Sequence, residues 1–359
     1  MPTTEILTIR AGGALVGPEL SFVGPAEMTI EGGVITRIGS PQDRSDASSS
    51  RVVDIPEAML VPGFIDAHVH IGFFEPRTLL EGGITTARDL GWPPEKIFPL
   101  VSASAEDGFD GPQVVAAGPM LTAPGGYPTK AAWAPAGTGL VVDSPEEAGR
   151  AVEDIAASNP SVVKVALNPP VGPTLDGETL SAIVQTAHDL GLRTTGHVYG
   201  LAELEKALDA GLDELAHMLM SPKSIPDGTI ARMVTQGMRI VPTLSIRSGK
   251  DQKIAIGNLA KFIAAGGEVI YGTDLGNDGP EPGIDAREVA AMARAGMTSL
   301  DIIRSATVDS AAWLALGDRG YLAEGMRADV VGLPLSARGE PSDLTEVQLV
   351  VRAGLVREL

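Results

Sequence analysis

The sequence predicts an α/β protein: a (β/α)8 TIM-like barrel inserted into a small β-sandwich domain that is built from both termini. Three observations predict it. Between residues 61 and 319, eight short apolar runs alternate with longer segments of helical spacing. Alternating runs broken by glycine fill residues 1–60 and return after 320. The 359 residues are 44% hydrophobic and 20% charged, enough apolar material for a sizeable core in about two domains. The expected domains are 1–60 with 320–359, and 61–319.

The elements follow in order. Residues 6–10, 27–30, 34–38 and 52–54 read as short strands, and the polar run 41–50 as a loop. Barrel strands are expected at 64–69, 84–89, 113–117, 162–167, 193–198, 214–217, 239–243 and 268–273. Helices are expected at 144–158, 176–190, 201–210, 226–236, 254–265, 284–295 and 299–316. The first of these opens Ser144-Pro145-Glu146-Glu147, which supplies an N-cap, a first-turn proline and acidic side chains at the positive end of the helix dipole. A doubly wound sheet is the rival architecture, but it rarely needs eight such units. Residues 328–333 and 347–356 are again strand-like, with a turn at Arg352-Ala353-Gly354.

Composition bounds the chemistry. Lys and Arg number 27 and Asp and Glu 46, a formal charge of −19. That field repels phosphate backbones and anionic bilayers, so neither nucleic acid nor a membrane is an expected partner. There is no cysteine, which excludes disulfides, thiolate metal sites and a cysteine nucleophile. The start MPTTEILTIR carries neither a basic nor an apolar leader region, and no apolar run approaches about 18 residues, so a cytoplasmic protein is expected.

Only five histidines need to be placed. His68 and His70 are two apart on an expected strand, so both imidazoles point to one face and can grip one metal ion. Lys164 sits inside the apolar run 162–167, where burial lowers its pKa. Such an amine serves as a Schiff-base former, as a CO2-derived carbamate bridging two metals, or as a lysine that snorkels from a strand end. His197, His217 and Asp274 each close an expected strand. Singly, each fits a structural role as well as a chemical one. Together, six residues fall at the same end of the expected barrel, where active sites sit. His188 lies inside an expected helix and reads as a surface residue.

This pattern resembles the amidohydrolase superfamily, in particular its imidazolonepropionase- and prolidase-like group. The resemblance rests on Pro62-Gly63-Phe64-Ile65-Asp66-Ala67-His68-Val69-His70, Lys164, the two single histidines and Asp274. It extends through Gly82-Gly83-Ile84-Thr85-Thr86-Ala87-Arg88-Asp89 to Gly325-Met326-Arg327-Ala328-Asp329. It implies two divalent ions, Zn2+ first among the candidates. His68, His70 and Asp274 would hold one, His197 and His217 the other, and carbamylated Lys164 would bridge them. It also implies hydrolysis of an amide C–N bond in a small molecule, with Asp274 moving the proton, and a homo-oligomer. Tyr199, two residues after His197, would donate to the oxyanion or serve as a rim tyrosine. Tyr127 stands after a glycine pair where relatives often carry His, so it is an expected pocket residue. Arg247 is either a carboxylate anchor or a solvated loop cation. Lactone, ester or carbamate hydrolysis would use the same machinery. Deamination is disfavoured, because Lys164 is present and the residue three after His197 is Gly200 rather than Glu.

Overall fold

The structure, a computed structural model, describes residues 6–41, 50–221 and 223–357. The alternating N-terminal runs form β1 (Ile6–Val16), β2 (Ser21–Val23), β3 (Ala26–Glu31), β4 (Val34–Gly39) and β5 (Ser50–Pro62). The expected loop 41–50 lies almost wholly outside the described residues.

The middle of the chain contains β6 (Phe64–Val69), α1 (Pro76–Glu81), β7 (Ile84–Asp89), α2 (Pro94–Ser104) and β8 (Gln113–Ala116). It continues through β9 (Met120–Thr122), β10 (Gly139–Val141), α3 (Pro145–Ala156), β11 (Val163–Leu167), α4 (Gly177–Asp189) and β12 (Thr194–Val198). Next come α5 (Leu201–Ala210), β13 (Glu214–Leu215), α6 (Asp227–Thr235), β14 (Arg239–Ile240) and α7 (Gly249–Ala264). Last are α8 (Ala286–Arg294), α9 (Ser299–Ser305), α10 (Val308–Trp313), and the strands β15 (Val330–Pro334), β16 (Leu349–Arg352) and β17 (Leu355–Arg357).

Both ends of the chain share one sheet, in the order β17-β16-β15-β5-β1-β3-β4 with β2 against β1. Its long strand β5 runs parallel to β1 and antiparallel to β15. Period-two alternation gives this sheet two buried faces. Met59 and Val61 enter the main core with Val331 and Leu333, while Leu60 joins Ile9, Met28, Ile35 and Val330 in a smaller one. Only Gly63 separates β5 from β6. A Cβ there would sit 2.2 Å from Thr85 Oγ1, so the connection requires glycine. Among the described residues, the terminal strands join in one hydrogen-bonded eight-stranded sheet, and its two outer ends meet where Ala328 N–H donates to Gly33 O (2.8 Å) and Gly354 N–H to Ala328 O (3.0 Å).

The middle region is α/β, and its strands pair in parallel throughout. They form a three-stranded sheet, β6-β7-β8, and a six-stranded one, β10-β9-β11-β12-β13-β14. β9 and β10 are additions to the expected set. A closed eight-stranded sheet is not present among the described residues. The expected eighth strand, 268–273, makes single contacts instead. Ile270 N–H donates to Ile240 O (2.9 Å), Ala67 N–H to Tyr271 O (3.0 Å) and Asp274 N–H to His68 O (2.7 Å). Its ladder is interrupted because Asp274 takes a left-handed φ of +58°. On the other side, Ser161 N–H donates to Ala116 O at 2.8 Å.

The helices follow their sequence signals. Ser144 caps α3 by accepting from Glu147 N–H at 3.2 Å, and α3 buries Ala148, Val152 and Ile155 along one stripe. The expected helix 299–316 divides at Thr307, whose ψ of −88° is not helical.

Glu288 of α8 is buried. One oxygen accepts from Ser245 N–H at 2.7 Å and the other has no hydrogen-bond partner. Burial raises its pKa to about 8 from 4.5. The folded protein therefore keeps a proton that the unfolded chain releases above about pH 4.5. This contribution to stability is full below that pH and is lost as pH rises towards 8, by at most about 1.4 kcal/mol per unit. Glu288→Gln is expected to flatten the fall in thermal midpoint between pH 5 and 8, measured by calorimetry in matched buffers.

Candidate metal centre

His68 and His70 leave β6 on one face, as their spacing requires, and both are buried. His68 Nδ1 lies 2.9 Å from Ala216 O, and a carbonyl can only accept, so Nδ1 carries the proton. Its Nε2 then presents a lone pair to Asp274 Oδ1, 3.2 Å away. His70 repeats the arrangement, with Nδ1 3.3 Å from Gly91 O and Nε2 3.3 Å from the same carboxylate oxygen. Asp274 Oδ1 has no hydrogen-bond partner. With both imidazoles neutral, three electron-rich atoms converge with no proton donor among them. The donor atoms of His68, His70 and Asp274 lie within 4.8 Å of one another, a group that could hold a metal ion.

A second set lies beside the first. His197 Nδ1 and His217 Nε2 are 2.9 Å apart. His217 Nδ1 lies 2.9 Å from Thr243 Oγ1 and 3.7 Å from Asp274 Oδ2. Asn168 Nδ2 donates to His197 Nε2 at 3.0 Å. Lys164 is buried on β11, and its Nζ has no hydrogen-bond partner.

The electrostatics agree with this geometry. Burial lowers His68 and His217, and lowers His197 to about 3, with Lys164 adding to all three. These imidazoles are neutral near pH 7, the form in which histidine binds metal. Burial opposes protonation of His70 too, but the Asp274 carboxylate outweighs it and raises His70. Lys164 falls to about 7, chiefly through burial and against the pull of Asp274. The unpaired Nζ, the unpartnered carboxylate oxygen and the neutral imidazoles fit N- and O-ligated divalent ions.

These groups line one cavity of about 360 Å3, together with Tyr127 and Arg247. Tyr127 packs over His197, with ring centroids 4.9 Å apart. Tyr199 lies in a narrow adjoining cleft of about 20 Å3 that shares His197, His217 and Arg247 with the cavity. His188 stands apart on α4, 2.9 Å from Asp213 Oδ2. Sequence reasoning missed four neighbours: Asn168, Thr243, Phe73 and Trp133. Asn168 was findable, because it follows Lys164 by four residues and so shares its strand face. Thr243 takes a left-handed φ of +47°, for which a β-branched residue gives no warning. Trp133 lies in a loop without periodicity.

Comparison with known proteins decides the family. Residues 59–356 match the profile of the Amidohydrolase family. The chain belongs to that family. An uncharacterized protein of Mycobacterium tuberculosis is 27% identical over 332 residues, covering 82% of this chain and 84% of its own. Adenine deaminase 2 of Rhizobium meliloti is 27% identical over 343 residues, covering 89% of this chain and 53% of that enzyme. Among solved structures, a Xaa-Pro dipeptidase with bound methionine superposes with a TM-score of 0.81 at 22% identity, covering 99% of this chain and 100% of that one. That last likeness is one of fold.

Protein purified without chelator is expected to carry at least about one equivalent of divalent metal per chain. Elemental analysis should show His70→Ala losing most of it and His188→Ala retaining it. Equal metal content in the two variants would remove His70 from the centre.

Proposed function

We propose that this chain is a metal-dependent hydrolase that cleaves the C–N bond of a small amide through a binuclear centre. The observation that carries the reading is the buried, unpaired Lys164. It lines the same cavity as His68, His70, His197, His217 and Asp274, and its Nζ has no hydrogen-bond partner. Carbamylation by CO2 would convert this isolated amine into a carboxylate facing both sets. His68, His70 and Asp274 would hold one ion, His197 and His217 the other, with Zn2+ suited to the all N/O donor set.

When bound, such ions acidify a water molecule and polarise a carbonyl. The remaining work belongs to the chain. Asp274 would take the proton of the attacking water and deliver it to the departing amine nitrogen. Tyr199 would reach the developing oxyanion from the adjoining cleft, and Tyr127 and Arg247 would position the substrate. Asn168 would orient His197. Its Oδ1 is buried without a partner, so a turned amide can accept from Nε2–H and leave Nδ1 free for metal.

We further read 61–319 as a (β/α)8 barrel whose seams are a few isolated hydrogen bonds and bridges, inserted between 1–60 and 320–359. A cytoplasmic homo-oligomer acting on a small molecule completes the proposal. No helix among the described residues is long and apolar enough to cross a membrane. Deamination, the activity in the name of the Rhizobium relative, is the second reading. Gly200 stands where that chemistry would use a Glu, which favours hydrolysis here.

Asp274→Asn and Lys164→Ala are each expected to lower kcat by about 10²- to 10⁴-fold with circular dichroism unchanged. A panel of N-acyl amino acids, dipeptides, cyclic amides, lactones and adenine, assayed on Zn2+-loaded enzyme, tests the reaction class. Turnover of lactones or adenine alone would overturn the amide assignment. Asn168→Leu is expected to weaken binding of the second metal equivalent by about 10- to 100-fold in chelator competition, and Asn168→Asp to restore it.

A further inference from the structure

The chain has few aromatic residues: three Trp, four Tyr and seven Phe in 359. Three of them nevertheless line the cavity that holds the metal centre, namely Phe73, Tyr127 and Trp133. Trp133 is the hub. Its ring lies 5.1 Å from His70, 6.2 Å from Phe73 and 6.1 Å from Tyr127, centroid to centroid. Tyr127 continues the surface to His197, nearly parallel to it at 32°. Trp92 supports Phe73 edge-on at 5.0 Å. Aromatic faces therefore run from a histidine of the first donor set to a histidine of the second.

This wall is preformed. Gly276 packs against it with a φ of +127°, and a Cβ there would sit 2.8 Å from His70 and 3.1 Å from Phe73. Gly126, beside Tyr127, would place a Cβ 2.5 Å from Pro173 O, so the loop that carries Tyr127 is clamped against the segment after β11. Phe73 is still 42% exposed, an apolar surface that a ligand would cover.

The same cavity holds one further cation besides Lys164. Arg247 is half-buried, and among the described residues its guanidinium makes no ion pair or hydrogen bond. It lines this cavity with Tyr127, His197 and His217, and the adjoining cleft with the same two histidines. Asp278 also lines the cavity, on its exposed rim, and does not pair with Arg247. A partly desolvated guanidinium without an acid calls for a carboxylate from the ligand.

We propose that the site takes aromatic N-acyl amino acids. Their planar acyl group packs on Phe73, Tyr127 and Trp133, and their carboxylate pairs with Arg247. This rests on the amide-hydrolase reading above. These rings already pack against one another, so a planar acyl group would lie on their exposed faces and edges in the offset or edge-to-face arrangements aromatic pairs prefer, which branched aliphatic groups do not reproduce.

The test uses metal-loaded, full-length Asp274→Asn, which is slow enough to titrate by calorimetry with three probes. These are N-benzoylglycine, N-acetylglycine, which lacks the ring, and N-methylbenzamide, which lacks the carboxylate. N-Benzoylglycine is expected to bind at least about 10-fold tighter than either truncated probe. Adding Trp133→Leu should erase its advantage over N-acetylglycine, and Trp133→Phe should keep most of it. Arg247→Ala should erase its advantage over N-methylbenzamide. Equal binding of the three probes, no binding, or an advantage that survives Trp133→Leu overturns the proposal. Wild-type turnover is read separately. Tight, ring-dependent binding without hydrolysis would sustain this substrate class and remove the amide-cleaving reaction.

Discussion

Asp66 joins two segments that no strand ladder connects. One carboxylate oxygen accepts from His68 N–H (3.0 Å) and Thr273 N–H (3.2 Å), and the other from Thr273 Oγ1 (2.7 Å). β6 brings His68 and His70, and the 271–275 segment brings Asp274. Their meeting depends on this clamp and on the backbone bonds beside it. Burial raises Asp66 to about 7, so its hydrogen bonds offset a real desolvation cost. Removing the carboxylate would orphan two buried N–H groups, at about 1–3 kcal/mol each.

A similar device holds the neighbouring strands. Arg88 donates to Ala67 O (2.7 Å) and to Glu214 (2.6 Å), and Glu214 also accepts from Thr195 (2.7 Å) and Trp313 (2.5 Å). These bonds reach β6, β7, β12, β13 and α10 in the dry interior. Among the described residues, two of the six non-glycine residues with positive φ, Thr243 and Asp274, sit at the rim of this layer. Strained backbone persists where its surroundings overdetermine it, and here it turns side chains into the cavity.

Much of this was legible in the sequence. The 64–69 and 84–89 strands and the 201–210 helix match their expected bounds, because apolar periodicity and terminal glycines agree there. All six donor residues share one cavity, since period-two spacing and strand ends specify a face. Periodicity specifies no partner, however. It could not say that the terminal strands would form one sheet, or that 268–273 would meet its neighbours through isolated bonds and bridges rather than a ladder. Nor could it find Asn168's amide, Thr243's left-handed turn or the Trp133 loop. Those depend on contacts between segments far apart in sequence.

The long strand β5 has one more consequence. Its residues 58–62 pair with 330–334, so a ribosome must make the whole catalytic region before that partner exists. Until then one edge of β5 offers unpaired amides and carbonyls to any passing strand. Gly63 links that edge to the histidine strand, so a mispairing there would be transmitted to the candidate metal centre. The hazard of this architecture lies in its biosynthesis, where the last strands to emerge protect the first chemistry to be assembled.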